Sequence, residues 1–294
     1  MNQFMISVII PTYHRNDLLA QCLDLLAPGV QTFPADKYQV IVSDDGYKTT
    51  AEEMIRERYP WVKWFAGPRK GPASNRNNGA KYAQGEWLAF TDDDCLPSPN
   101  WLSNYAEAFK GESLALEGAI HPLGDHNQDL SECPINLTGG CFWSANIAVK
   151  RSLFEEIGGF DSNYSLALGE DVDLQQRLSA FTKISFVPNA RVDHPVRLFS
   201  LRQAIARIPK RAAANAYHMN KHKTAANGHE NALDITFFFA KYTIGLLLNN
   251  LLKGKFKCVL IELVTLLIGV PLLFKHLWRI ESMNIYNSNV SVSR

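Results

Sequence analysis

Four times between residues 8 and 109 a short apolar run of strand length gives way to a polar turn and then to helical spacing, and this rhythm restricts the fold more than anything else in the chain. Val8, Ile9 and Ile10 form the first run, with Pro11 expected to end it; Leu18, Leu19, Cys22, Leu23 and Leu26 then recur at helical intervals after an Asn16 or Asp17 cap. Tyr38 to Ser43 reads as a strand, Asp44-Asp45-Gly46 as a turn and Thr49 to Tyr59 as a charged helix. Val62 to Ala66 is the third strand and Pro72 to Ala83 its helix, with proline at the first turn. Trp87 to Thr91 is the fourth strand and runs into Asp92-Asp93-Asp94, followed by a helix over Ser98 to Phe109. Strands and helices alternating at these lengths imply a mostly parallel α/β sheet covered on both faces.

Further on, Leu114 to Ile120 is strand-like, Thr138 to Phe160 is glycine-punctuated and expected to be irregular, Asp171 to Phe181 is helical, and Ile184 to Val187 is a last strand before Pro188. From Leu198 onward only helical spacing remains, which divides the chain into 1–197 and 198–294. Charge divides at nearly the same place: the net charge of +1 conceals −9 over residues 1–194 and +10 over 195–280. An acidic body is suited to cations, and a basic, apolar tail to an anionic surface. In that tail, Ile235 to Leu252 and Val259 to Phe274 are strongly apolar but contain Lys241, Asn249, Asn250, Glu262 and Pro271, with Lys253, Lys255 and Lys257 between them. Helices lying in a membrane interface or forming a shallow re-entrant pair are expected rather than clean spanning segments, with true spanning and a soluble helical cap or oligomer interface as the alternatives. The apolar run from Phe4 to Ile10 is too short and lacks the basic leader of a secretory signal. Five cysteines without a CxxC pair point to a reducing compartment rather than a disulfide framework.

The chemistry concentrates in acidic clusters. Asp92-Asp93-Asp94 follows a buried strand, and open α/β sheets place ligands at the carboxyl ends of their strands. Three adjacent carboxylates suit Mg²⁺ or Mn²⁺, although a solvated turn or a helix cap has the same composition. Asp44-Asp45-Gly46 opens onto the same edge, either as plain turn chemistry or as acceptors for a nucleobase imide or ribose hydroxyl. Arg76 stands near a helix start, where phosphate and base are both in reach of such a residue. Gly169-Glu170-Asp171-Val172-Asp173 precedes a helix; its carboxylates suit the positive end of the dipole, and one of them facing a cleft would serve as general base. His194, beside Asp193, is a candidate ligand or an ordinary hydrogen-bonded imidazole.

The order of these pieces resembles the family 2 glycosyltransferases, with the GT-A fold, across residues 5 to about 197. The matching segments are Val8 to Arg15 (VIIPTYHR), Val42 to Gly46 (VSDDG), Ser74 to Gly79 (SNRNNG), Phe90 to Asp94 (FTDDD), Thr138 to Gly140 (TGG), Gly169 to Leu174 (GEDVDL) and Asp193-His194. The resemblance implies that Pro11, Tyr13, Arg15, Asp44, Asp45 and Arg76 hold the nucleoside and that Asp93 approaches the ribose. It further implies that Asp92, Asp94 and His194 hold a divalent cation, Mn²⁺ or Mg²⁺, and that Asp171 is the base. Gly140, Cys141, Trp143 and Glu170 would lie near the acceptor. The activity so implied is an inverting, metal-dependent transfer of one sugar from a nucleotide sugar, UDP-sugar first, to a hydroxyl acceptor. That acceptor would be lipid-linked, at the cytoplasmic face of the cell membrane in bacterial surface polysaccharide or glycolipid assembly; nucleic acid is not an expected partner. Tyr47 departs from the family, which commonly has serine after Asp-Asp-Gly, and the QxxRW of processive synthases is absent. The rival readings are an inactive GT-A domain that binds nucleotide sugar for a partner enzyme, and a nucleotidyltransferase, which usually carries a glycine-rich loop where this chain has Pro11-Thr12-Tyr13-His14-Arg15.

Overall fold

The computed structural model describes residues 5–164, 166–222 and 231–292, with side chains to residue 283; Phe4, the first residue of the N-terminal apolar run, lies outside them. Two compact units result, residues 1–126 with 133–196 and residues 127–132 with 197–294. The short segment 127–132 therefore packs with the second unit although it lies within the sequence stretch assigned to the first.

The first unit is built on an eight-stranded sheet of β1 (Ile6–Thr12), β2 (Tyr38–Asp44), β3 (Val62–Ala66), β4 (Trp87–Thr91), β5 (Leu96–Pro97), β6 (Ala115–Leu123), β8 (Asn146–Lys150) and β9 (Ile184–Pro195), in the order β3-β2-β1-β4-β8-β6-β9-β5. The intervening two-residue β7 (Ser131–Glu132) belongs to the second unit. Strands β3, β2, β1 and β4 are parallel, and β8 is inserted antiparallel to both β4 and β6. Helices α1 (Asn16–Leu26), α2 (Glu52–Arg58), α3 (Pro72–Ala80), α4 (Trp101–Ala108), α5 (Arg151–Glu156) and α6 (Glu170–Ser179) complete the unit. Every residue of β1, β2 and β4 is buried, as expected for strands covered on both faces. Leu19, Cys22, Leu23 and Leu26 of α1 join Val8, Ile10, Val40 and Val42 in the core, so the helical spacing read from the sequence is the buried stripe.

Several expected boundaries move for identifiable reasons. Strand β1 continues through Pro11 to Thr12, because pairing with β4 stops at Ile9 and the ladder beyond runs on the β2 side alone, where a missing N–H is tolerated. Strand β9 continues through Pro188, which sits in a bulge where the register slips from Gly118↔Val187 to Ala119↔Arg191. Gly118 is required there, since a Cβ would collide with the Ala190 carbonyl and the Asn146 side chain. The segment 138–160 is not irregular throughout, for it contains β8 and α5. Asn146 disguised that strand. Its Oδ1 accepts from Trp101 Nε1 and Tyr105 Oη at 2.8 Å each, while Nδ2 donates to the Ala119 and Ala190 carbonyls, also at 2.8 Å. A buried amide with all four sites used ties α4, β6, β8 and β9 together.

The second unit contains a β7–β10 ribbon, with β10 at Arg197–Leu198, and α7 (Leu201–Lys221), α8 (Ala232–Leu252), α9 (Phe256–Val264) and α10 (Val270–Val292). A π-helical turn, Thr265–Gly269, joins the last two. Ser200 and Gln203 cap α7 reciprocally. Ala212, Ala216, Ala232, Ile235, Leu273 and Leu277 form the interior of this unit.

Substituting Asn146→Ala strips partners from two side-chain donors and two carbonyls at once. We expect a loss of about 3 kcal/mol or more, read as a fall in Tm of roughly 6 °C or more by circular dichroism.

Candidate active site

The parallel strands β1, β2 and β4 end at Thr12, Asp44 and Thr91, so the segments that follow emerge on one edge of the sheet. Hydrogen bonds then stitch those segments together. Asp45 N–H donates to the Thr12 carbonyl (3.0 Å), and Thr12 Oγ1 donates to Asp93 Oδ2 (2.7 Å). Arg15 bridges two members of the acidic triplet, reaching Asp93 through Nε (3.1 Å) and Nη2 (2.5 Å) and Asp94 through Nη1 (3.1 Å). Arg76, projecting from α3, bridges the triplet to a remote helix: Nη2 meets Asp92 at 2.7 Å and Nη1 meets Glu170 at 3.2 Å. Its guanidinium is 3% exposed and lies over the Phe160 ring, 5.6 Å from the centroid.

Asp171, next to Glu170 in the first turn of α6, is itself buried. Its Oδ1 takes the Val172 N–H (2.9 Å), and its Oδ2 faces the Ser144 N–H at 3.5 Å. Asp92, Asp93, Asp94, Glu170 and Asp171 thus gather around two guanidiniums, an excess of negative charge within a poorly solvated crevice. The titration of these groups reflects it. Burial pushes Asp93 up to about 7, against Arg15 and the Thr12 hydroxyl and with the help of Asp94 and Asp92. Burial also raises Glu170 and Asp171, opposed chiefly by Arg76. For Asp92 burial is outweighed by Arg76, His194 and Arg15, which hold its carboxyl below the ordinary range. Glu170 Oε2 and Arg76 Nε are buried without a hydrogen-bond partner, a pattern that marks sites completed by a ligand.

His194 reaches the same place from β9, with Nε2 3.5 Å from Asp94 Oδ1. Its Nδ1 lies 2.9 Å from the Pro195 carbonyl, which accepts the ring proton in the neutral tautomer and leaves the Nε2 lone pair toward Asp94. An oxygen acceptor and a nitrogen acceptor facing each other suit a divalent cation. Cys95 lies within the same group of potential ligand atoms, all within 4.8 Å of one another. Burial, reinforced by Asp92 and Asp94, pushes its thiol well up, so the donors that fit are the carboxylate and the imidazole.

Of the residues the resemblance assigns to the nucleoside, Asp45 stays at the crevice. Its Oδ1 accepts from Arg69 N–H (2.8 Å), and burial raises its carboxyl against the backbone donors of Arg69 and Gly71. Asp44 has different work: its carboxylate takes the N–H groups of Gly46 (2.8 Å) and Ala51 (2.7 Å) and the Trp64 indole (3.2 Å), shaping the loop that carries Asp45. Pro11 is buried within β1. Tyr13 is 51% exposed and belongs to an aromatic ledge that the sequence did not announce, with His14 at 4.3 Å and His14 in turn at 4.9 Å from Tyr47, itself 55% exposed. Tyr47 stands in the sequence only as a departure from the family pattern; here it completes a surface of the kind on which a nucleobase stacks.

Of the residues the resemblance places near the acceptor, Glu170 opens α6, whereas Gly140, Cys141 and Trp143 lie on a loop held from beneath by a residue that the sequence did not single out. Glu117, 3% exposed in β6, accepts from the backbone N–H groups of Gly140 (2.6 Å), Cys141 (3.1 Å) and Phe142 (2.8 Å) and from Asn136 Nδ2 (3.0 Å). Gly139, Gly140 and Phe142 all have positive φ (84°, 93° and 43°), so the loop curls its amides inward onto the carboxylate. Trp143 and Ser144 follow directly, and Ser144 leads to Asp171. A carboxylate in the middle of an otherwise apolar strand was the available signal. Gly140 itself is exposed and Cys141 half-buried; both reach the network through their backbone contacts to Glu117.

Residues 7–130 match the profile of the family described as glycosyl transferase family 2. A validoxylamine A glucosyltransferase of Streptomyces hygroscopicus subsp. limoneus is 28% identical over 221 residues, covering 60% of this chain and 48% of that protein. Glycosyltransferase AglE of Haloferax volcanii is 27% identical over 210 residues, covering 66% and 68% respectively. The chain spans about half the length of the Streptomyces relatives it matches. Among solved structures, the mannosyltransferase PcManGT from Pyrobaculum calidifontis, in complex with GDP-Man and Mn²⁺, aligns with a TM-score of 0.55 at 19% identity, covering 94% of this chain and 74% of that one. S. aureus TarS 1-349 in complex with UDP aligns with a TM-score of 0.55 at 18% identity, covering 81% and 72%. These likenesses establish the GT-A fold.

Glu117→Gln turns an amide NH₂ toward donors that now share a carboxylate. We expect about 2 kcal/mol of destabilisation and a marked rise in amide hydrogen exchange confined to residues 136–144, read by mass spectrometry.

Proposed function

We propose that this chain, whose residues 7–130 match the profile of glycosyl transferase family 2, is a glycosyltransferase of that family and moves a single sugar, with inversion, from a nucleotide sugar to a hydroxyl acceptor. The observation that carries the reading is the Asp92–Arg76–Glu170 bridge, which ties the carboxylates at the end of β4 to Asp171 at the start of α6. A donor-binding cluster and a candidate base, far apart in sequence, thereby share one crevice.

In this reading the Tyr13, His14 and Tyr47 ledge receives the nucleobase, Asp45 accepts a hydrogen bond from it and Asp93 from the ribose. Arg15 and Arg76 orient the carboxylates that surround the diphosphate. Asp94 and His194, with Asp92 nearby, fit a divalent cation, Mn²⁺ or Mg²⁺, which when bound supplies positive charge against the leaving diphosphate. Asp171 takes the proton of the acceptor hydroxyl as that oxygen attacks the anomeric carbon from the face opposite the departing nucleoside diphosphate. Burial raises its basicity toward neutrality, where a general base is most effective. Glu170 keeps Arg76 in place beside it, and Gly140, Cys141 and Trp143 shape the acceptor side. UDP-sugars are the donors to test first. The acceptor we propose is carried on a lipid at the cytoplasmic membrane face, in surface polysaccharide or glycolipid assembly, a reading supported by two helices long and apolar enough to cross a membrane.

Asp171→Asn is expected to reduce transfer about a thousandfold, the scale of the contribution a positioned general base makes. Nucleotide-sugar binding by calorimetry should stay within about threefold of wild type; unchanged turnover would remove the base assignment. Chelation should abolish transfer and Mn²⁺ or Mg²⁺ restore it, so full activity in excess chelator would refute the cation role.

A pH effect follows from Asp93, which titrates near 7 when folded and near ~3.9 when unfolded. Between those values the native protein holds a proton the unfolded chain has lost, so the contribution of this group to stability is fullest at the acidic end and declines as pH rises toward 7. The Tm of the cation-free protein should accordingly fall between pH 5 and 7, and Asp93→Asn should make that fall shallower in differential scanning calorimetry, leaving the part that comes from the raised Glu170 and Asp171.

A further inference from the structure

The helical unit shows an unusual surface. On α8, Leu233, Phe237, Ile244, Leu248 and Leu251 are all exposed and recur at helical spacing, so they form one stripe, and Phe238, Tyr242 and Leu252 extend the exposed apolar surface beyond it. On the helix that runs from α9 through the π turn into α10, Phe256, Leu260, Leu263, Leu267 and Trp278 form a second exposed stripe. Phe237 is 74% and Leu267 76% exposed, values that water does not favour for side chains of this size. By length alone both helices, 21 and 28 residues, qualify as membrane spans.

Three observations argue against crossing. First, Lys241 lies on the α8 stripe itself, between Phe237 and Leu248, where a lysine suits an interface by extending its ammonium to water but is costly at a bilayer centre. Second, the turn between the helices is basic. Gly254 (φ 67°) closes α8 with paired bonds, Gly254 N–H to Leu251 O (3.1 Å) and Lys255 N–H to Asn250 O (2.9 Å), between Lys253 and Lys255 and just before Lys257. Crossing would carry these lysines to the far side, against the preference of basic loops for the cytoplasm. Lys255 instead lies 4.0 Å from Asp129, near Glu132, which is held by Arg207 (2.9 Å) and Arg211 (2.5 Å) of α7. Third, α7 packs along the second helix of the pair, with Ile208 against Gly269, and its Ala212 and Ala216 share one apolar cluster with Ala232, Ile235, Leu273 and Leu277. That helix also carries exposed Arg202, Lys210, Arg211 and Lys221, so one side of the helical pair is permanently faced by a charged, water-seeking helix.

We propose that α8 and α9–α10 form a monotopic hairpin lying in the plane of an anionic bilayer, its two apolar stripes in the acyl boundary and α7 on the aqueous side. The net charge of +10 over residues 195–280 favours anionic lipid and disfavours burial of the stripes against a second, equally charged copy. The proposal stands apart from the transfer chemistry and can fail without it.

The full-length protein should float with vesicles of phosphatidylcholine and phosphatidylglycerol, with binding reduced about tenfold on phosphatidylcholine alone or in high salt. Leu248→Asp and Leu260→Asp should each weaken flotation by a similar factor of about ten while the helical circular dichroism is kept. For topology, Lys255→Cys in a Cys258→Ser background should gain a membrane-impermeant maleimide only after spheroplasts are lysed, one label more than the parent. Labelling of Lys255→Cys in intact spheroplasts would show that the hairpin crosses and overturn the proposal. Failure to bind either vesicle, with the protein eluting as a stable dimer, would show that a second copy covers the stripes and overturn it as well.

Discussion

A guanidinium with almost no access to water holds the acidic crevice of this molecule together. Arg76 contacts Asp92 on one side and Glu170 on the other, and neither acid is near it in sequence. Without it, the carboxylates from the end of β4 and from the start of α6 would face one another unscreened in a medium where such repulsion is severe. Arg15 plays the same part for Asp93 and Asp94. Two cations against five acids leave the site under-neutralised, which is the electrostatic basis of the cation role proposed for it.

The sheet makes this affordable. Parallel strands deliver their carboxyl ends to one edge, so the Thr12, Asp44 and Asp92 segments converge without any long-range design of the loops. The antiparallel insertion of β8 brings the loop that Glu117 holds to the same neighbourhood, because residues 139–144 lead directly into it. Glu117 and Asn146 then fix that loop and strand from below with full sets of hydrogen bonds. Structure and chemistry are coupled here through buried polar groups rather than through apolar packing, whose contribution is to keep water away from them.

Much of this was legible in residue order. The strand of Trp87 to Thr91 emerged with the expected boundaries, and α1 buries the face its spacing indicated. The acidic triplet and the Glu170-Asp171 pair were recognisable because carboxylates after strands and before helices are either turns or sites. What was hidden shares one physical character: a polar residue whose partners are distant. Asn146 made a strand look like a loop, Glu117 made no signal beyond being out of place, and Asp44 looked like its neighbour Asp45 until its carboxylate proved to be engaged by three donors. Pro11 and Pro188 suggested strand ends because proline lacks an N–H, a loss that matters only where the ladder asks for one.

The sequence by itself determined the alternation of strand and helix, the acidic edge, the family resemblance and the contrast between an acidic body and a basic, apolar tail, because each depends on local periodicity or on composition. Tertiary structure alone decided which carboxylates are bridged by which arginine, which of two adjacent aspartates turns inward, that Tyr47 joins an aromatic ledge, and that α7 lines the long apolar helices. Those are pairings across tens of residues, and a hydrogen bond or an ion pair leaves no mark in sequence until folding has brought its two ends within about 3 Å of each other.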